Sequence, residues 1–171
     1  MKVTTLLLTI FLYFNFIGQE LKIDTKNATV EFEFVSEQAK GKVSGLQAKF
    51  IFNPLDFSKS SIKGSVDVST LTTYNKMRDK HLQKSDMFFT EKFPKMTFES
   101  SKFSKKDNGF TADGLVSIKG KSKKAKFNFN KTKKGIVGKM TVYTNDFNIY
   151  PKKKYADSKV IIAINLPFQK K

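Results

Sequence analysis

Apolar and polar residues alternate one for one along most of this chain. Ala28, Val30, Phe32 and Phe34 alternate with Thr29, Glu31 and Glu33. Leu46, Ala48, Phe50 and Phe52 alternate with Gln47, Lys49 and Ile51, and Ile62, Gly64, Val66 and Val68 with Lys63, Ser65 and Asp67. The same rhythm returns through Met96 and Phe98, Phe110 to Ile118, Ala125 to Phe129, residues 137–143, and Val160 to Leu166. A period of two sends successive side chains to opposite faces of an extended backbone, so these segments read as half-buried strands. Turn formers separate them: Asn53-Pro54, Asp107-Asn108-Gly109, Gly120, and Lys133-Lys134-Gly135. Asp-Asn-Gly between two alternating runs predicts a hairpin. The expectation is an all-β chain of about eight antiparallel strands. With so few helices to cover it, such a sheet closes on itself or folds into a sandwich. A barrel of ~8 strands has an interior that side chains or one small ligand can fill.

One stretch, residues 71–100, breaks the rhythm. It holds the only Arg (Arg78) and the only His (His81). Thr72 or Thr73 would cap a short helix over residues 74–84, with Met77 and Leu82 as its apolar positions, and residues 86–89 would form a tight apolar corner. Arg78 and His81 stand three residues apart and share a helical face. A lone His, with no Cys anywhere in the chain, supplies neither a nucleophile–base pair nor a metal-ligand set. The reading is therefore that Arg78, Asp79 and His81 anchor the loop, that the protein is not an enzyme, and that it binds no metal or obligatory cofactor.

The 171 residues suit one domain. Residues 1–18 have a basic start, a short apolar run and a small residue, Gly18, which is the form of a secretory signal. The apolar run falls short of the ~20 residues of a spanning helix. Residues 19–171 would then be a single exported domain, periplasmic or secreted, and soluble once the signal is removed. The formal net charge of +17 favours anionic partners. The charge is nearly all Lys, with clusters at 121–124, 131–134 and 152–154, where turns or strand ends are expected. Solvated loop charge explains these clusters better than nucleic-acid recognition, which would call for several Arg and no export signal.

Several segments, taken in order, resemble the YceI-like family. Leu21-Lys22-Ile23-Asp24 precedes the first long strand, and Val43-Ser44-Gly45 leads to Phe52-Asn53-Pro54. Val66-Asp67-Val68-Ser69-Thr70 runs into Arg78-Asp79-Lys80-His81-Leu82 and Ser85-Asp86-Met87-Phe88-Phe89, then Lys92-Phe93-Pro94-Lys95-Met96-Thr97-Phe98-Glu99-Ser100. Gly114 to Gly120 looks like the family's later strand and turn. The chain departs from the family pattern at Thr144, where Arg is usual, at Asn148, where Gly is usual, and at Asn27-Ala28, where His-Ser is common.

The resemblance implies a lipocalin-like barrel that holds a polyisoprenoid or other long-chain lipid. Strand parity then nominates Phe32, Phe34, Phe50, Val66, Val68, Phe98, Phe127 and Phe129 as lumenal ligand-binding residues, with Met87, Phe88 and Phe89 near an entrance. The expected partner is an amphiphilic lipid such as an isoprenoid quinone or polyprenyl chain. An anionic membrane surface and a homodimer stay open, and no nucleic acid is expected. The alternative is a cationic envelope protein that binds anionic lipids or polymers at its surface, with no ligand in the lumen.

Overall fold

The alternating segments form one continuous antiparallel sheet in the computed structural model, which describes residues 19–169. The predicted leader, residues 1–18, lies outside the described residues. The strands are β1 (Gln19–Glu20), β2 (Thr29–Phe34), β3 (Ala39–Phe52), β4 (Ser61–Thr72), β5 (Lys95–Lys106), β6 (Gly109–Ile118), β7 (Lys121–Lys131), β8 (Gly135–Tyr143) and β9 (Lys159–Pro167). One helix, α1 (Lys76–Leu82), follows β4. The sheet order β3-β2-β9-β8-β7-β6-β5-β4, with β3 pairing β4, closes an eight-stranded barrel, and β1 adds two residues along the end of β3. Each strand of the barrel pairs with two neighbours, although β7 and β8 pair only over residues 128–131 and 136–139.

Two bulges bend the seam where β3 meets β4. On β3 the buried set is Val43 before Gly45 and Phe50 after it, so the inward parity reverses across Gly45, at φ 72. Ser44 pairs with Asp67 while Gln47 pairs with Ser65, so β3 carries an extra residue there. On β4 the parity reverses between Val68 and Leu71, both buried. Thr70 pins the irregularity: its hydroxyl accepts from Ser44 N at 2.8 Å and donates to Asp67 O at 2.7 Å. Such bulges give a sheet the local twist that a closed barrel demands.

The two ends of the barrel differ. The far end carries the N-terminal segment, the connection 53–60, the hairpin at 107–108 and the turn at 132–134. It is filled by phenylalanines. Phe110 lies 5.0 Å from Phe129 and 5.7 Å from Phe103, both stacked, and 5.8 Å from Phe50 in an edge contact (ring centroids). Phe129 fits because residue 138 is glycine: a Cβ there would stand 2.6 Å from the Phe129 ring. The N-terminal segment closes this end. Leu21 N donates to Phe50 O, Asp24 N to Pro167 O and Gln169 N to Lys22 O, each at 2.8 Å, and Ile23 is buried between them. The other end, the mouth, gathers the connections 35–38, 73–94, 119–120 and 144–158.

Several local expectations need correction. α1 has seven residues, and its N-cap is Asn75, whose side-chain oxygen accepts from Arg78 N at 3.0 Å. Thr72 ends β4 instead, because β4 runs past the alternating segment, and Tyr74 at φ 60 makes the kink between strand and helix. Lys121, Lys123 and Lys124 open β7, at a strand end, and the turn before them is made at Lys119 and Gly120, both at positive φ. The connection 144–158 holds two short 3-10 turns, Thr144–Phe147 and Tyr155–Ser158.

Candidate functional site

Above the phenylalanine-filled end the barrel is hollow. A cavity of about 390 Å³ occupies the lumen toward the mouth. Small residues open it. Ala48 pairs with Gly64 across β3 and β4, and Gly64 pairs with Phe98 of β5. All three line the cavity. A Cβ on Gly64 would meet nothing closer than Gln47 O at 3.6 Å, an ordinary contact, so the position has room for a small side chain. The opposite wall is made by β8 and β9, through Met140, Val142, Val160, Ile162 and Ile164. An apolar lining of this kind suits hydrocarbon, which gains by leaving water, and offers few groups to fix a polar ligand.

Polar groups gather at the mouth: Glu37, Thr73, Arg78 and His81 border the cavity. Arg78 donates from Nε to Thr73 Oγ1 at 2.7 Å and from its guanidinium to Thr73 O at 3.0 Å. Asp79 accepts from Thr73 N and Thr72 Oγ1, each at 2.7 Å, and from Thr73 Oγ1. Burial pushes the Asp79 carboxyl up, but the bonds from Thr73 and Thr72 and the nearby Arg78 charge outweigh it, so the group lies below the ordinary 3.8. His81 Nε2 stands 3.2 Å from Asp86 Oδ2, and this contact is the main cause of the lowered Asp86 pKa. These contacts tie β4, α1 and the following corner into one unit. Among the described residues no group of three or more His, Cys, Asp or Glu is placed to hold a metal ion.

A second set joins the other two long mouth connections. Lys152 pairs with Glu37, and its ammonium lies 4.0 Å from the Tyr150 ring centre and 5.3 Å from that of Phe34. The Glu37 contact, working against burial and helped by Tyr150, raises the Lys152 pKa above 10.5. Lys119 Nζ reaches Asp86 O at 3.3 Å and Asn148 O at 3.2 Å, which links the α1 segment to the connection 144–158.

Of the residues nominated from sequence, Phe32, Phe34, Val66, Met87, Phe88, Phe98 and Phe127 line the cavity. Four do not. Phe50 and Phe129 belong to the filled end, because the far-end rings pack against one another with no space left between. Val68 is buried at the β4 bulge, where its N–H bonds Pro94 O at 2.8 Å. Phe89, at φ 53, turns away and packs edge-on against Phe93. Sequence reasoning missed the β8 and β9 wall, although its alternation was visible. It also missed Phe147, Ile149 and Tyr150, which lie in a loop where no periodicity marks an inward side chain.

A family model described as the YceI-like domain matches residues 21–168. The chain belongs to the YceI-like family. Curated relatives include a UPF0312 protein of Vibrio cholerae, 28% identical over 107 residues, covering 59% of this chain and 57% of the relative. Another, from Vibrio campbellii, is 31% identical over 111 residues, covering 62% and 59%. The chain thus spans under two thirds of the length of the curated relatives it matches. Among solved structures, BcnA of Burkholderia cenocepacia aligns with a TM-score of 0.73 at 19% identity, over 85% of this chain and 98% of that one. A polyisoprenoid binding domain from Saccharophagus degradans aligns with a TM-score of 0.59 at 9% identity, over 86% and 97%. At these identities the likeness shows the shared barrel fold alone.

Proposed function

We propose that the protein is an exported carrier or store for a lipid whose long apolar chain, isoprenoid or similar, lies in the barrel lumen. The observation that carries this reading is the predominantly apolar cavity, with the charged groups Glu37, Arg78 and His81 gathered at its mouth. An amphiphile fits that polarity: the chain enters and the head group stays at the rim. Each buried CH2 contributes roughly 0.8 kcal/mol, so ten of them would supply about 8 kcal/mol before the ordering costs of binding. The polyisoprenoid-binding name of one structural neighbour supports the same ligand class. An isoprenoid quinone or a polyprenyl chain is the first candidate. The proposed role is binding without catalysis, a reading supported by the engagement of His81 with Asp86 at the rim and of the Thr73 hydroxyl with Asp79 and Arg78. The signal-like residues 1–18 support the export part of the reading.

The test is mass spectrometry of lipid released by denaturing protein purified without detergent from the cell envelope and medium. A stoichiometric long-chain lipid supports the carrier reading and names its class. An empty protein that also fails to take up added isoprenoid quinone overturns it and favours capture of anionic lipids or polymers at the surface. Recovery from the cytoplasm alone, with residues 1–18 still attached, overturns the export part.

A further inference from the structure

We infer that the mouth end of the barrel is a docking surface for an anionic lipid bilayer, with α1 and the connection 144–158 facing the membrane. The inference goes beyond lumenal binding, because the side chains it stands on, Tyr150 excepted, lie outside the cavity.

Large apolar side chains left exposed on a barrel are normal when scattered. Here they are not. Among the described residues, Val35, Tyr74, Met77, Tyr150 and Tyr155 are exposed on mouth connections, against Leu55 alone at the far end and Leu115 and Val137 on the walls. Tyr74 and Met77 are 74% and 84% exposed. The reason lies in the helix. Arg78, His81 and Leu82 border the lumen, which leaves Met77, with Lys76 and Lys80 beside it, on the side away from it. Tyr and Met beside Lys is the composition that seats at a bilayer interface: rings and thioether enter the head-group layer while ammonium groups stay at phosphate level.

The charge at this end has the matching sign. The rim acids are largely engaged within the protein: Glu37 by Lys152, Asp79 by Thr72 and Thr73, Asp86 by His81, and Asp146 by Lys123 and Tyr155. No ion pair holds Lys76, Lys80, Lys153 or Lys154 among the described residues. Only Glu91 and Asp157 remain against them on these connections. An anionic bilayer therefore meets free ammonium groups and exposed apolar tips on one surface, around the opening of an apolar cavity.

The chain has no Trp, so an introduced one is the sole indole reporter. Met77→Trp and Leu55→Trp place it on opposite ends of the barrel at exposed sites. Each variant is mixed with vesicles of equal parts phosphatidylglycerol and phosphatidylcholine, with brominated acyl chains as quencher, and with phosphatidylcholine alone. The expected result is a blue shift and quenching at position 77 only, with the anionic vesicles only. Lys76→Ser with Lys80→Ser should weaken vesicle partitioning about fivefold per lysine. Quenching at position 55 equal to that at 77, attachment with no quenching at either site, or no attachment to anionic vesicles would each overturn the inference. Lipid released on denaturation of the same protein is read separately, so an empty lumen with intact docking, or the reverse, tells the two proposals apart.

Discussion

Asp79 joins a strand end to a helix through one carboxylate. Three of its contacts come from Thr72 and Thr73 at the end of β4, while the residue itself sits in the first turn of α1. Thr73 is buried, so Asp79→Ala strands its N–H and hydroxyl away from water. A stranded buried donor costs about 1–3 kcal/mol, and chemical denaturation should read a loss of that size. An unchanged midpoint would mean that the rim does not depend on this carboxylate. Asn148 carries a different constraint. It adopts φ 52 at the end of the Thr144–Phe147 turn, at a position where the family pattern has Gly. Asn tolerates the left-handed region better than other residues with a Cβ, which is why the departure leaves the loop intact. Asn148→Gly should leave the melting temperature nearly unchanged, whereas Asn148→Val should cost about 1–2 kcal/mol. Equal melting temperatures for the two variants would refute the strain argument.

Elements decide what the lumen can hold. At Gly64 an added Cβ meets only ordinary contacts, so Gly64→Leu should project into the cavity, keep the fold and block uptake of a long-chain probe. At Gly138 the same addition runs into the Phe129 ring, so Gly138→Leu should instead lower stability. A Gly64→Leu protein that still takes up a stoichiometric chain would place the ligand elsewhere. The Glu37–Lys152 contact predicts a kinetic effect. It joins the turn after β2 to the connection after β8, with Lys152 partly buried and Glu37 exposed, and a pair still reached by solvent adds only about 1 kcal/mol of stability. Glu37→Gln should thus speed release of bound probe in stopped-flow displacement while barely moving the melting temperature. Strands such as β6 and β9 were legible in the sequence because burial on one face imposes a period of two. The phases of β3 and β4 were not fully legible. Their bulges depend on a Ser44–Thr70 contact between strands, and alternation within one strand carries no record of it. The same limit explains the site. Phe50 and Phe129 have the right parity for a lumen, but parity gives the face and not the height along the barrel axis. Height separates the filled end from the hollow one.

At the scale of the molecule, charge and hydrogen bonding act together on acid stability. Asp24, Asp56, Asp67, Asp79 and Asp86 all lie below the ordinary 3.8. At Asp24, Asp56, Asp67 and Asp86 the leading cause is a hydrogen bond from Asn27, Ser58, Ser69 and His81 in turn; at Asp79 burial opposes the shift and the threonine bonds prevail. A depressed carboxyl contributes stability that is fully present above its unfolded pKa and is lost as pH falls through the folded value. These five therefore contribute at neutral pH, and their contribution fades below about pH 4. Over the same range the protein loses anions it cannot spare: 32 Lys and Arg already face only 15 Asp and Glu. Protonation raises a net charge of +17, and self-repulsion grows with it. The two effects separate by salt, which screens repulsion between exposed charges beyond ~10 Å at 0.1 M but leaves the short hydrogen bonds. Melting curves by circular dichroism should hold steady from neutral pH to about pH 5 and then fall. Added salt should recover part of the fall and leave the rest. Full recovery would assign the acid sensitivity to net charge alone, no recovery would assign it to the hydrogen-bonded carboxylates, and a flat profile down to pH 3 would contradict both.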